Sequence, residues 1–121
     1  MSEVEDLSEP ILPGTAPSDY ERYLRTDELL ALQKAPDELT RRDELLFMTV
    51  HQSSELWLKL ATFEVETAVG LLGNGELAGA QRLLRRAHDC MKNTMAALDM
   101  LEHMSPWEYT AFIRPLLGHG S

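Results

Sequence analysis

The chain has 121 residues, 44% of them hydrophobic and 26% charged, with a formal net charge of −9. That length allows one modest core, and the composition is ordinary for a soluble protein. The acidic balance excludes a surface built for nucleic acid, which needs a basic footprint.

No apolar run is long enough to span a bilayer, and the opening MSEVEDLSEP is acidic where a secretory signal is basic and then apolar. The single Cys90 excludes an internal disulfide and fits a reducing, cytoplasmic setting. There are no internal repeats, no CxxC, no glycine-rich phosphate loop and no HExxH, and strand signals are negligible. The fold class expected is all-α, with long antiparallel helices forming part of a bundle behind a short N-terminal helix and arm.

Residues 1–18 read as an acidic flexible arm: Glu3, Glu5, Asp6 and Glu9, three prolines and no Lys or Arg. From Ser18 the text changes to SDYERYLRTDELLALQ, in which Tyr20 and Tyr23 share a helical side with Leu24 beside them. Thr26 is placed to cap a short helix over Asp27–Gln33, with acids in its first turn. Such a patch packs aromatic rings on a core or on a partner.

Ala35-Pro36 separates this from the dominant stretch, Asp43 to Val69, which contains no Pro or Gly. Asp37 or Thr40 is placed to cap it, and Gly73-Asn74-Gly75 to end it near Leu72. At 100° per residue, Phe47, His51, Ser54, Leu58, Ala61 and Val65 fall on one face. A histidine in such a stripe is either a hydrogen-bonded core residue or a neutral imidazole offering one nitrogen to a ligand N–H. Glu55, four residues on, could hold the ring; as a general acid–base pair the two have only their spacing in support.

A second long helix is expected from Glu76 to about Met104. Its seam is Leu77, Ala80, Leu84, Ala87, Met91, Thr94, Leu98 and Leu101, with Gly79 weakening the first turn. Arg82, Arg85, Arg86 and Lys92 read as a solvated face, and Met91, Met95, Met100 and Met104 as core or as a soft pocket wall. Ser105-Pro106-Trp107-Glu108 reads as a capping box opening a third helix, which Pro115 should stop.

Three blocks carry a resemblance. Asp43-Glu44-x-Leu46-Phe47, Val50-His51-Gln52 and Glu55-Leu56-Trp57 form the first; Tyr20-x-x-Tyr23-Leu24-x-x-Asp27-x-Leu29-Leu30-x-x-Gln33 the second; Met104-Ser105-Pro106-x-x-Tyr109-x-x-Phe112-x-Arg114-x-x-Leu117-Gly118-x-x-Ser121 the third. Together they resemble the tryptophan 2,3-dioxygenase family over about Asp19 to Ser121. The resemblance implies the N-terminal part of a helical heme-dioxygenase domain, residues 19–121, in a chain that stops within a motif. It further implies heme b with its axial histidine outside this sequence, O2 and L-tryptophan or a related indole as substrates, and a homotetramer that exchanges N-terminal arms. The activity implied is tryptophan catabolism on the kynurenine pathway.

By the same resemblance His51 accepts the indole N–H, Phe47 packs on indole and heme, and Arg114 clamps the substrate carboxylate with Tyr109 near it. Tyr20, Tyr23 and Leu24 close the pocket of a neighbouring subunit, and Ser121 lies near the heme edge. None of His51, His88, His103 and His119 is the implied iron ligand. Two departures stand out: Leu98 where many members carry an aromatic residue, and Ile113 inserted between Phe112 and Arg114. An extra helical residue rotates all later side chains by about 100°, so a local bulge is expected there. These departures keep open a superfamily monooxygenase acting on a modified tryptophan. A helical interaction module without catalysis is the alternative from another class.

Overall fold

The computed structural model describes residues 7–118, with backbone alone for Leu116. Every regular element among them is helical. The chain divides into two units, Met1–Glu38 and Leu39–Ser121.

In the first unit, α1 (Asp19–Leu24) starts at Ser18, whose Oγ accepts from the Glu21 N–H at 3.2 Å and donates to the Glu21 carboxylate at 3.1 Å. A Ser/Thr cap paired with an acid three residues on is the capping pattern sequence reading assigned to Ser105. Residues 7–18 carry no regular element, yet part of them is tied to α1. The Asp19 carboxylate accepts the Ile11 and Leu12 N–H groups at 2.9 and 2.8 Å. The Arg22 guanidinium donates to the Ala16 and Leu12 carbonyls at 2.7 and 2.8 Å.

Arg25 then turns the chain in the left-handed region (φ 55°) and is held to Glu28 by an ion pair. Thr26 is the first residue of α2 (Thr26–Leu30) rather than its cap. The αL residue before it ends one helix and begins the next, leaving no extended position for a capping threonine.

The second unit is dominated by an antiparallel hairpin of α3 (Glu44–Gly73) and α4 (Leu77–Asp99). The turn is a Schellman motif. Glu76 N–H reaches the Leu71 carbonyl at 2.9 Å, Gly75 N–H reaches Leu72 at 3.1 Å, and Gly75 supplies the positive φ of 77°. Neither expected cap of α3 acts by its side chain. The N-cap is Asp43, without a side-chain bond, and the Glu44 carboxylate accepts the Thr40 N–H at 3.0 Å.

The seam keeps Ser54, Ala61, Ala80, Ala87 and Thr94 of the expected one and is rotated on its other side. On α3 the buried residues are Glu44, Val50, Ser54, Ala61, Glu64 and Ala68; on α4 they are Ala80, Leu83, Ala87, Cys90 and Thr94. Val65, Leu77, Leu84, Met91 and Leu98, expected inside, are exposed. Small side chains explain the rotation. Ala61 meets Ala87 and Cys90, and Ala68 meets Ala80 and Leu83. Backbones thus approach closely along a line of alanines, and bulky residues are displaced to the flanks.

Ser54 and Thr94 satisfy themselves on the Val50 and Cys90 carbonyls at 2.7 and 3.0 Å. Gly79 belongs to the same close packing, because a Cβ there would lie 3.2 Å from a Leu71 methyl. Arg86 departs from the expected solvated face. It reaches across the hairpin to the buried Glu64 carboxylate at 3.1 Å.

After α4 a 3₁₀ turn (Met100–His103) leads to Ser105, which occupies the N-cap of α5 (Pro106–Glu108) without a side-chain bond. A π-helical turn follows over Tyr109–Ile113, then α6 (Arg114–Leu117). The π turn lies where a bulge is expected from the extra Ile113, and one added residue is what such a turn absorbs. It also explains why Pro115 does not stop the helix. Pro115 stands in the first turn of α6, where its missing N–H is not required.

Candidate functional site

The first turns of α3 and the chain after α4 meet around Phe47. The His51 ring stacks on the Phe47 ring, with centroids 4.1 Å apart and planes inclined by 32°. Tyr109 approaches the other way, 6.0 Å from Phe47. Phe47 and Tyr109, with Leu101, Glu102, Met104 and Pro106, line a groove of about 430 Å³. Its walls are aromatic and aliphatic, with one carboxylate at Glu102.

His51 is not the core residue that the apolar stripe suggests; it is exposed on the flank of the hairpin. The rotation of the seam accounts for this, since Val50 turns inward instead. Its Nδ1 lies 2.7 Å from the Phe47 carbonyl oxygen, four residues earlier on the same helix. A carbonyl can only accept, so Nδ1 carries the proton and donates. In the neutral ring that leaves Nε2 as an acceptor. The imidazole is thus fixed in orientation by ring stacking and in tautomer by its own helix.

Beneath this corner, Arg41 lays its guanidinium carbon 3.7 Å from the Phe112 ring centroid and 5.8 Å from that of Trp107. The two rings meet edge to face at 5.0 Å. Its Nε is buried without a hydrogen-bond acceptor. Glu108 is half-buried, with the Asp43 carboxylate close enough to act on it. Loss of solvent, then Asp43, push the Glu108 carboxyl above the usual glutamate range, against the pull of Arg41. Sequence reading missed Arg41, Asp43 and Glu108 as a group and also Glu102. Only their spatial convergence singles them out.

Of the residues expected to form a site, the structure brings Phe47, His51 and Tyr109 together. Arg114 is exposed at the start of α6, directly after the π turn. Tyr20, Tyr23 and Leu24 are exposed on α1, in the first unit. Ser121 and His119 lie outside the described residues. Glu55 is exposed and makes no bond to His51. Among the described residues no three His, Cys, Asp or Glu side chains converge as a metal site, and no helix is long and apolar enough to cross a membrane.

The family model described as tryptophan 2,3-dioxygenase matches residues 12–121. Curated relatives of that name include proteins of Xanthomonas oryzae pv. oryzae and Xanthomonas campestris pv. campestris. Each is 37% identical over 102 residues, covering 84% of this chain and 34% of the relative. A Bordetella parapertussis tryptophan 2,3-dioxygenase is 38% identical over 104 residues, 84% of this chain and 35% of the relative. The chain therefore spans about a third of the length of the curated relatives it matches. No solved structure matches it. With a match that takes in both units and the whole Phe47 corner, the chain belongs to the tryptophan 2,3-dioxygenase family.

Proposed function

We propose that the chain forms part of a heme-dependent dioxygenase that adds both atoms of O2 across the indole C2–C3 bond of L-tryptophan, opening the ring to N-formylkynurenine. The observation that carries this reading is the locked His51. With Nδ1–H committed to the Phe47 carbonyl, Nε2 is an acceptor on a ring stacked against Phe47, a wall of the aromatic groove, and an acceptor is what an indole N–H requires. Holding that N–H presents C2 and C3 in one orientation, and orientation alone lowers a barrier substantially.

The groove wall would suit a flat macrocycle. Phe47, Leu101, Met104 and Tyr109 offer apolar and aromatic contact, and no carboxylate cluster competes for the metal among the described residues. Phe47 would pack against the heme, with Ser121 near its edge and the axial histidine supplied from elsewhere in the protein. Heme when bound supplies the activation of O2; the protein supplies binding, orientation and exclusion of water. Arg114 would clamp the substrate carboxylate, a task suited to its planar fork, with Tyr109 beside it. The exposed Tyr20, Tyr23 and Leu24 would close the pocket of an adjacent subunit in a homotetramer, in the cytoplasm.

His51→Ala in the complete protein is expected to lower kcat/KM for tryptophan about tenfold to a thousandfold through lost orientation and proton handling. Unchanged steady-state kinetics would rule out the role. A second reading, a superfamily monooxygenase acting on a modified tryptophan, rests on Leu98, which stands where the resemblance leads one to expect an aromatic residue. Product mass separates the two: two added oxygen atoms or one.

A further inference from the structure

The π turn over Tyr109–Ile113 takes up one extra residue, and the Arg114 N–H closes it on the Tyr109 carbonyl five residues back. Arg114 is therefore both the last link of the turn and the first side chain to leave it. Were the same residues wound as plain α-helix, Arg114 would be rotated by about 100°. A π turn is the rarer arrangement, so contacts outside the segment have to hold it.

Three side chains of the turn are held in this way. Tyr109 lies 6.0 Å from the Phe47 ring, Ile113 is buried, and Phe112 lies under the Arg41 guanidinium, whose carbon is 3.7 Å from the ring centroid. Arg41 is itself fixed from behind. Its carbonyl accepts the Glu44 N–H at 3.1 Å, and the Thr40 N–H before it donates to the Glu44 carboxylate at 3.0 Å. The start of α3 thus carries Arg41, and Arg41 covers Phe112. Its buried Nε finds no hydrogen-bond acceptor. A cationic donor so placed is costly unless ring faces take its charge, and Phe112 and Trp107 provide them. The contact needs the planar guanidinium, which stacks as an ammonium does not.

We propose that Arg41 is a positioning residue: stacked on Phe112, it holds the π turn in register and so keeps the heading of Arg114. The consequence for substrate rests on the carboxylate clamp proposed above for Arg114; the holding of the turn does not. Arg41 touches no ligand in this account. It acts through Phe112 on the turn, and through the turn on Arg114.

The experiment takes Arg41→Met, Arg41→Lys and Phe112→Leu in the complete protein. Arg41→Met keeps an apolar stem without the cation, and Arg41→Lys keeps the charge without the plane. Hydrogen exchange should quicken in all three at the amides of Thr110 to Arg114, with the α3–α4 hairpin unchanged. Adding Arg41→Met to Phe112→Leu should quicken it no further, because the two residues act as one contact. KM for tryptophan should rise several-fold in Arg41→Met, while the affinity for tryptamine, which lacks the carboxylate, stays the same. Unchanged exchange at the turn, exchange that quickens throughout the hairpin, or additive effects of the two substitutions would overturn the proposal. So would a KM effect shared equally by tryptamine, provided that Arg114→Leu discriminates between the two ligands. If Arg114→Leu fails to discriminate, the carboxylate clamp falls, and local exchange at the turn decides the role of Arg41 alone.

Discussion

The α3–α4 hairpin and the corner around Phe47 are built on opposite principles, although both draw on α3. The hairpin is held by small side chains. Ala61, Ala68, Ala80 and Ala87 let the backbones approach, and the buried Glu64 carboxylate is matched by a cation from the facing helix. The corner is held by large rings and by charge: Phe47 on His51, Phe47 near Tyr109, and Arg41 on Phe112. A seam of alanines has no slack, because added volume has nowhere to go. Rings at an exposed corner can tilt and admit a flat guest between them. In this chain the close-packed seam is built from small residues and the candidate site from large ones.

That division can be broken most sharply in the hairpin. Ala80 is fully buried, so Ala80→Leu should cost about 2–3 kcal/mol by overpacking, read as a lower urea midpoint. If the midpoint is unchanged, the seam is not the close-packed element described. The cross-helix pair comes next. Arg86→Ala leaves the Glu64 carboxylate buried without its cation. Because the Arg86 side chain is half exposed, water softens the loss to about 1–2 kcal/mol, less than for a fully buried pair. Glu64→Gln should cost less than Arg86→Ala, since it strands no charge. The reverse order would show that the pair acts through packing alone.

The smallest effect sharpens the picture. Gly79→Ala gains helix propensity and presses only on the mobile end of Leu71, so stability should rise by about 0.5 kcal/mol. A loss would mean that the Leu71 methyl cannot move.

These contrasts also show where the sequence was readable. An unbroken run from Asp43 and the turn Gly73-Asn74-Gly75 announced α3 and its end, because breakers and caps act locally. The extra residue at Ile113 announced a bulge, because a helix has to absorb it somewhere. The face of α3 was misjudged for a physical reason. When the seam is built from Ala and Ser, hydrophobicity no longer marks the inside, and Phe47 and His51 draw the stripe toward themselves.

Glu64 and Arg86 are 22 residues apart, so their pairing follows from the hairpin register and not from either local pattern. The site was legible only as far as its residue types. Phe47, His51 and Tyr109 could be named in advance, but not the Nδ1 bond that fixes the tautomer, nor Arg41, Asp43 and Glu108 beneath it.

The central claim is that His51 Nε2 receives an indole N–H. The direct test is the binding of tryptophan against an analogue with sulfur in place of the indole nitrogen, in the complete protein and in its His51→Ala variant. A hydrogen bond of this kind amounts to about 1 kcal/mol. Tryptophan should therefore bind several-fold more weakly to the variant, while the sulfur analogue binds both proteins alike. Equal weakening of the two ligands, or none for either, would contradict the account.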